Sequence, residues 1–118
     1  MNRILIVDDE TDTRQFLANF FRKRKIDTFT ASGGEEALAI FDREDPGIVL
    51  LDIIMGGMDG LEVLKRLKEK NERACVIMVT GKNPDQETVK KCKELGAHAY
   101  IHKPLELDEL EKQVLSLM

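Results

Sequence analysis

Three short runs of consecutive apolar residues, rich in β-branched side chains, most constrain what this chain can fold into: Ile4-Leu5-Ile6-Val7, Ile48-Val49-Leu50-Leu51 and Val76-Ile77-Met78-Val79. A half-exposed strand alternates polar and apolar residues, whereas an unbroken run this short fits a strand buried on both faces in the middle of a parallel sheet. These three strands are therefore expected to be central. Thr28-Phe29-Thr30-Ala31 does alternate and Ala99-Tyr100-Ile101 is very short, so both read as edge strands, making five in all.

Between the strands the apolar spacing becomes that of a helix. Phe16, Leu17, Phe20 and Phe21 form one apolar stripe; Ala37, Leu38 and Phe41 form a second, and Leu61, Leu64 and Leu67 a third. Val89, Cys92 and Leu95 make a narrower one, and Leu107, Leu110, Val114 and Leu117 close the chain with a last amphipathic helix. Ser32 with Glu35, Asp59 with Glu62, and Asn83 with Pro84 and Gln86 fit helix N-caps, whose side chains satisfy the orphan amides of a first turn. Strict alternation of strand and helix implies right-handed crossovers, so the expected fold is α/β, a doubly wound five-stranded parallel sheet. A chain of 118 residues, 42% of them hydrophobic, suffices for one core. No repeat, low-complexity tract or linker interrupts it, and the expectation is one domain over residues 1–118 with nothing left to form an output domain.

Lys and Arg number 18 against 22 Asp and Glu, and a net charge of −4 offers no basic field for a phosphate backbone. Direct binding to nucleic acid is not expected. The basic run Arg22-Lys23-Arg24-Lys25 reads as a solvated helix end favoured by the helix dipole. Cys75 and Cys92 lack Cys-x-x-Cys spacing and fall in apolar segments, which suits reduced core thiols and a cytoplasmic location. No segment approaches a membrane span or a signal-peptide core, so no membrane partner is expected.

In a doubly wound sheet the carboxyl ends of the strands gather at one edge, where ligands bind. The first strand ends in Asp8 and Asp9, the third in Asp52, the fourth in Thr80-Gly81 and the fifth in His102-Lys103-Pro104. Two carboxylates about 5 Å apart repel by roughly 3 kcal/mol at an effective dielectric of about 20, so three of them require a cation nearby. Oxygen ligands favour a hard ion, and Mg²⁺ typically takes one or two carboxylates with waters and phosphate. Lys103 adds a second positive charge. A cation flanked by Lys and Thr suits a phosphoryl group, whose transfer depends on positioning and charge neutralisation. His98, Tyr100 and His102 would share a strand face, but no third ligand is in sight to make a metal site there.

Val7-Asp8-Asp9-Glu10, Leu51-Asp52-Ile53-Ile54-Met55, Met58-Asp59-Gly60, Thr80-Gly81 and Gly96-Ala97…Tyr100…Lys103-Pro104 together resemble, in order and over the whole chain, the receiver domain of two-component response regulators. The resemblance implies a flavodoxin-like sheet with strand order 2-1-3-4-5, and a phosphoacceptor switch rather than an enzyme. Asp52 would be phosphorylated by a sensor histidine kinase or a phosphotransfer protein. Asp9, Asp52 and the backbone carbonyl of Ile54 would bind Mg²⁺, with Asp8 acting through a water. Lys103 would pair with the phosphoryl oxygens, and Thr80 would hydrogen-bond to the phosphoryl group and move with it. Tyr100 would change rotamer to report the state to a downstream protein or output domain. Gly81 matches the family's small residue at its position, and the Lys103-Pro104 bond is cis in the family.

Two departures stand out. Gly56-Gly57 replaces the usual Pro after the Met of the acceptor loop, which should loosen it. His98-Ala99 and Glu111-Lys112-Gln113 replace the acidic stretch and the Arg that pair across a dimer in the DNA-binding subfamily, so that dimer is not expected. The enzymatic alternative is a small aspartyl-nucleophile phosphatase of the haloacid-dehalogenase type, but the Asp-x-Asp-x-Thr pattern after the first strand is absent. A flavin or nucleotide carrier would meet repulsion from Asp8-Asp9, and no G-x-x-x-x-G-K-[ST] loop is present.

Overall fold

The computed structural model describes residues 3–53, 59–80, 86–102 and 106–118, with Thr80 and His102 described by their backbone. Strand and helix alternate throughout: β1 (Arg3–Val7), α1 (Thr11–Arg22), β2 (Asp27–Ala31), α2 (Gly34–Glu44), β3 (Ile48–Asp52), α3 (Gly60–Lys70), β4 (Cys75–Thr80), α4 (Gln86–Glu94), β5 (Ala99–His102) and α5 (Leu107–Ser116). The strands pair in parallel in the order β2-β1-β3-β4-β5, as expected, with the three apolar runs in the centre.

Successive side chains on a strand point to opposite faces, so each continuous run feeds two cores. Ile4, Ile6, Ile48, Leu50 and Ile77 meet Leu17, Ala18 and Phe21 of α1 and Leu110 and Val114 of α5. Leu5, Val7, Val49, Leu51, Val76 and Met78 meet the buried faces of α2, α3 and α4 on the other side. Both faces are thereby covered.

Two local expectations change. Phe16 is 56% exposed, because α1 turns Leu17, Ala18 and Phe21 toward the sheet and leaves Phe16 at the rim, about 100° around the helix from Leu17. Gly33, not Ser32, is the N-cap of α2, and the Ser32 N–H and hydroxyl instead donate to the Glu36 carboxylate at 2.6 and 3.3 Å rather than engaging Glu35. The basic run Arg22-Lys23-Arg24-Lys25 is exposed throughout, as expected, but Arg24 has partners too. Arg24 lies 3.6 Å over the Phe20 ring and pairs with Glu111, tying α1 to α5, while Phe20 meets Phe21 edge-on at 5.1 Å. Asp59 does cap α3, its carboxylate accepting from the Leu61 N–H at 3.0 Å. The Asn83-Pro84 cap lies outside the described residues. Both thiols are free, Cys92 buried and Cys75 half-buried.

Candidate functional site

Strand register builds the site. Val7 of β1 stands beside Leu51 of β3, so Asp8, the next residue, comes level with Asp52. Asp52 is in turn beside Val79 of β4, and Thr80 beside His102 of β5. Four adjacent strands thus end at one edge.

Carboxylate oxygens of Asp8, Asp9 and Asp52 lie within 4.8 Å of one another, the one such grouping of three or more ligating side chains among the described residues. Asp8 and Asp52 are 3% and 6% exposed, whereas Asp9 is exposed at the mouth. Like charges this close repel by about 3 kcal/mol per pair at an effective dielectric of about 20, which makes the cluster a strong attractor for a cation. All the donors are hard oxygens, so the residues present fit Mg²⁺. Below them a void of about 10 Å³, lined by residues including Asp8, Leu17, Leu50, Asp52 and Val79, is close to the size of one water.

Asp8 is held from three directions. Its N–H donates to the Ala31 carbonyl at 3.1 Å, its Oδ1 accepts from the Glu10 N–H at 2.9 Å, and its carbonyl accepts from Arg14 Nη1 at 2.7 Å. Glu10 occupies the N-cap position of α1, where the Thr13 hydroxyl donates to its carboxylate, and it stays outside the acidic group.

The backbone after Asp52 is fastened on both sides. The Ile53 N–H donates to the Val79 carbonyl and the Ile53 carbonyl accepts from the Gly60 N–H, both at 3.1 Å. A Cβ on Gly60 would lie 2.6 Å from the Asp52 carbonyl oxygen and from Ile53 Cα, and 2.8 Å from the Ile53 carbonyl oxygen. Only glycine lets α3 begin against the end of β3. Sequence reasoning used Gly60 as part of a motif and missed this close approach; a glycine placed just after an N-cap was the available signal.

Tyr100, in register with Met78, is half-buried against the core on the α2–α3–α4 side, with its hydroxyl oxygen out of contact with solvent. His98 is exposed, and its N–H donates to the Val76 carbonyl at 2.8 Å. In α4, burial pushes the Cys92 thiol pKa up, and the Asp59 charge adds to the shift. Ile54, Met55, Gly56, Gly57, Met58, Gly81, Lys103 and Pro104 lie outside the described residues, as does the Thr80 side chain. Among the described residues, no helix is long and apolar enough to cross a membrane.

The response regulator receiver domain family matches residues 4–115. The chain is 41% identical over 112 residues to sporulation initiation phosphotransferase F of Bacillus subtilis (strain 168), covering 95% of this chain and 90% of that protein. It is 40% identical over 110 residues to regulatory protein AtoC of Escherichia coli (strain K12), covering 93% of this chain but 24% of that protein. Among solved structures, response regulator protein TrrA from Thermotoga maritima, in complex with Mg(2+)-BeF, is similar with a TM-score of 0.87 and 34% identity over 100% of both chains. The phosphatase alternative finds no support in these matches. The similarity runs through nearly the whole chain, and three acids of its motifs, Asp8, Asp9 and Asp52, are those that the fold gathers; the chain belongs to the response regulator receiver domain family.

Proposed function

We propose that this receiver domain carries out its phosphoacceptor signalling at Asp52, taking a phosphoryl group from a phosphohistidine on a sensor histidine kinase or a phosphotransfer protein. The observation that carries the assignment is the placement of Asp52. It ends a central strand at the floor of the acidic group, and the next residue, Ile53, fastens the main chain to β4 and α3. An Asp52 carboxylate oxygen forms the new bond to phosphorus while the bond from phosphorus to the donor imidazole nitrogen breaks. The electron pair stays on that nitrogen, and the donor leaves as neutral imidazole with its proton on the other ring nitrogen.

Asp9, Asp52 and the Ile54 carbonyl would hold Mg²⁺, with Asp8 acting through a water. When bound, the ion would neutralise charge on the transferring group. The complex of the similar TrrA with Mg(2+)-BeF supports this choice. Lys103 pairs with the phosphoryl oxygens and Thr80 hydrogen-bonds to them. A phosphoryl group adds about −1.5 to −2 of charge, and drawing Thr80 inward changes the space beside Tyr100 on the next strand. Tyr100 then reports through a shift between its present half-buried position and another rotamer, at the face made by α4, β5 and α5. A downstream protein or output domain binds there. The domain acts on its own acceptor and turns over no separate substrate, and free thiols suit a cytoplasmic setting.

Incubation with a small acyl phosphate and Mg²⁺ followed by intact-mass measurement tests the acceptor. The wild-type chain should gain one phosphoryl group and Asp52→Asn none; an undiminished gain in Asp52→Asn refutes the assignment.

A further inference from the structure

The side of α1 that faces the edge strand β2 has chemistry opposite to that of the acidic site. A groove of about 420 Å³ is lined there by Arg14, Gln15, Ala18, Asn19, Arg22 and Thr30. The five helical residues recur at spacings that bring them to one side of α1. Every lining residue except Ala18 carries a side-chain N–H or O–H donor, and none is a carboxylate, although acids outnumber bases by 22 to 18 in the chain.

The two guanidinium groups are oriented without being neutralised. Arg14 donates to the Asp8 carbonyl at 2.7 Å and to the Thr11 hydroxyl at 3.4 Å; Arg22 donates to the Thr28 carbonyl at 3.2 Å. Among the described residues no carboxylate forms an ion pair with either one, whereas Arg3, Arg24, Arg43 and Arg66 all have such partners. A guanidinium has five N–H donors, so each retains several for another acceptor.

We propose that this groove binds a small phosphate-bearing anion, clamped between Arg14 and Arg22, with Gln15, Asn19 and Thr30 donating to its remaining oxygens. The fork geometry of arginine matches phosphate oxygens in pairs, and two such forks suit a ligand with more than one negative charge. The volume falls in the usual range for small-molecule sites and exceeds the needs of a single inorganic phosphate, which favours a diphosphate or a phosphate ester. The proposal is independent of the chemistry assigned to Asp52.

Pyrophosphate titrated into the whole chain in magnesium-free buffer, at ionic strength held constant with chloride and followed by NMR, provides the test. Saturable shifts should centre on Arg14, Asn19, Arg22 and Thr30. Arg22→Gln should weaken binding about tenfold or more, the worth of one charge-assisted pair, while Arg24→Gln, outside the groove, leaves it unchanged. Asn19→Asp, a nearly isosteric change at an exposed position that sets a carboxylate in the groove, should remove binding and serves as the deciding variant if Arg22→Gln folds poorly. Shifts that never saturate, that chloride alone reproduces, or that keep the same midpoint in Asn19→Asp would overturn the proposal.

Discussion

Gly60→Ala adds a single methyl group at a crowded point beside Asp52, the proposed acceptor. Its Cβ would sit 2.6 Å from the Asp52 carbonyl oxygen and Ile53 Cα and 2.8 Å from the Ile53 carbonyl oxygen, where carbon contacts settle at roughly 3.5–4.0 Å. All three atoms are backbone, so no side chain can swing away; the start of α3 must separate from the end of β3 by about 1 Å. Overpacking of this kind costs about 1–3 kcal/mol. The higher helix propensity of Ala returns at most about 1 kcal/mol. A net loss of about 1–2 kcal/mol should lower Tm by roughly 4–8 °C for a domain of this length. The Gly60 N–H to Ile53 carbonyl bond lies in the same junction, so the Asp52 main chain should shift and phosphoryl uptake should slow well below the melting transition. Gly47→Ala is the control: no heavy atom lies within 4 Å of its Cβ position, and its stability should stay within about 0.5 kcal/mol of wild type. Urea denaturation and acyl phosphate uptake measured on both variants decide the matter. If Gly60→Ala matches Gly47→Ala in both assays, the close approach does not position the acceptor.

Asp59→Ala should cost about 1 kcal/mol by removing the α3 N-cap, measured by urea denaturation, and equal stability would discount the bond to the Leu61 N–H. Asp9→Asn should raise stability without divalent ions by about 1 kcal/mol, since solvent screens the exposed Asp9 charge, and should largely abolish the rise in Tm expected for the wild type with Mg²⁺. An undiminished Mg²⁺ response would remove Asp9 from the ligand set. For Cys92 the pKa is raised in the folded state, so below the unfolded thiol's value of about 8.5 both states keep the proton. Above it the unfolded chain ionises first, and stability falls as pH climbs toward the folded value. Cys92→Ala should flatten this alkaline decline in Tm, and an identical slope would show that the thiol does not contribute.

The alternation of strands and helices was legible because apolar period is a local property, visible within four to a dozen residues of chain. From it followed the central position of β1, β3 and β4, and, since parallel strands bring their carboxyl ends to one edge, the meeting of Asp8, Asp9 and Asp52. Asp59 was readable as a cap for the same reason, its partner lying two residues away. Features that depend on how two elements meet were not readable. Neither Phe16 nor Leu17 announces which of them turns to the sheet, and Ser32 could select Glu36 over Glu35 only once the approach of the chain to α2 was set. Arg24 looked like one more solvated charge until α5 brought Glu111 beside it. The closeness of Gly60 to Asp52 and the groove between Arg14 and Arg22 likewise arise from packing across elements. Periodicity tells a helix which side is apolar, but the rotation and depth at which it docks come from the side chains of its neighbours, and those distances decide which residues the site can use.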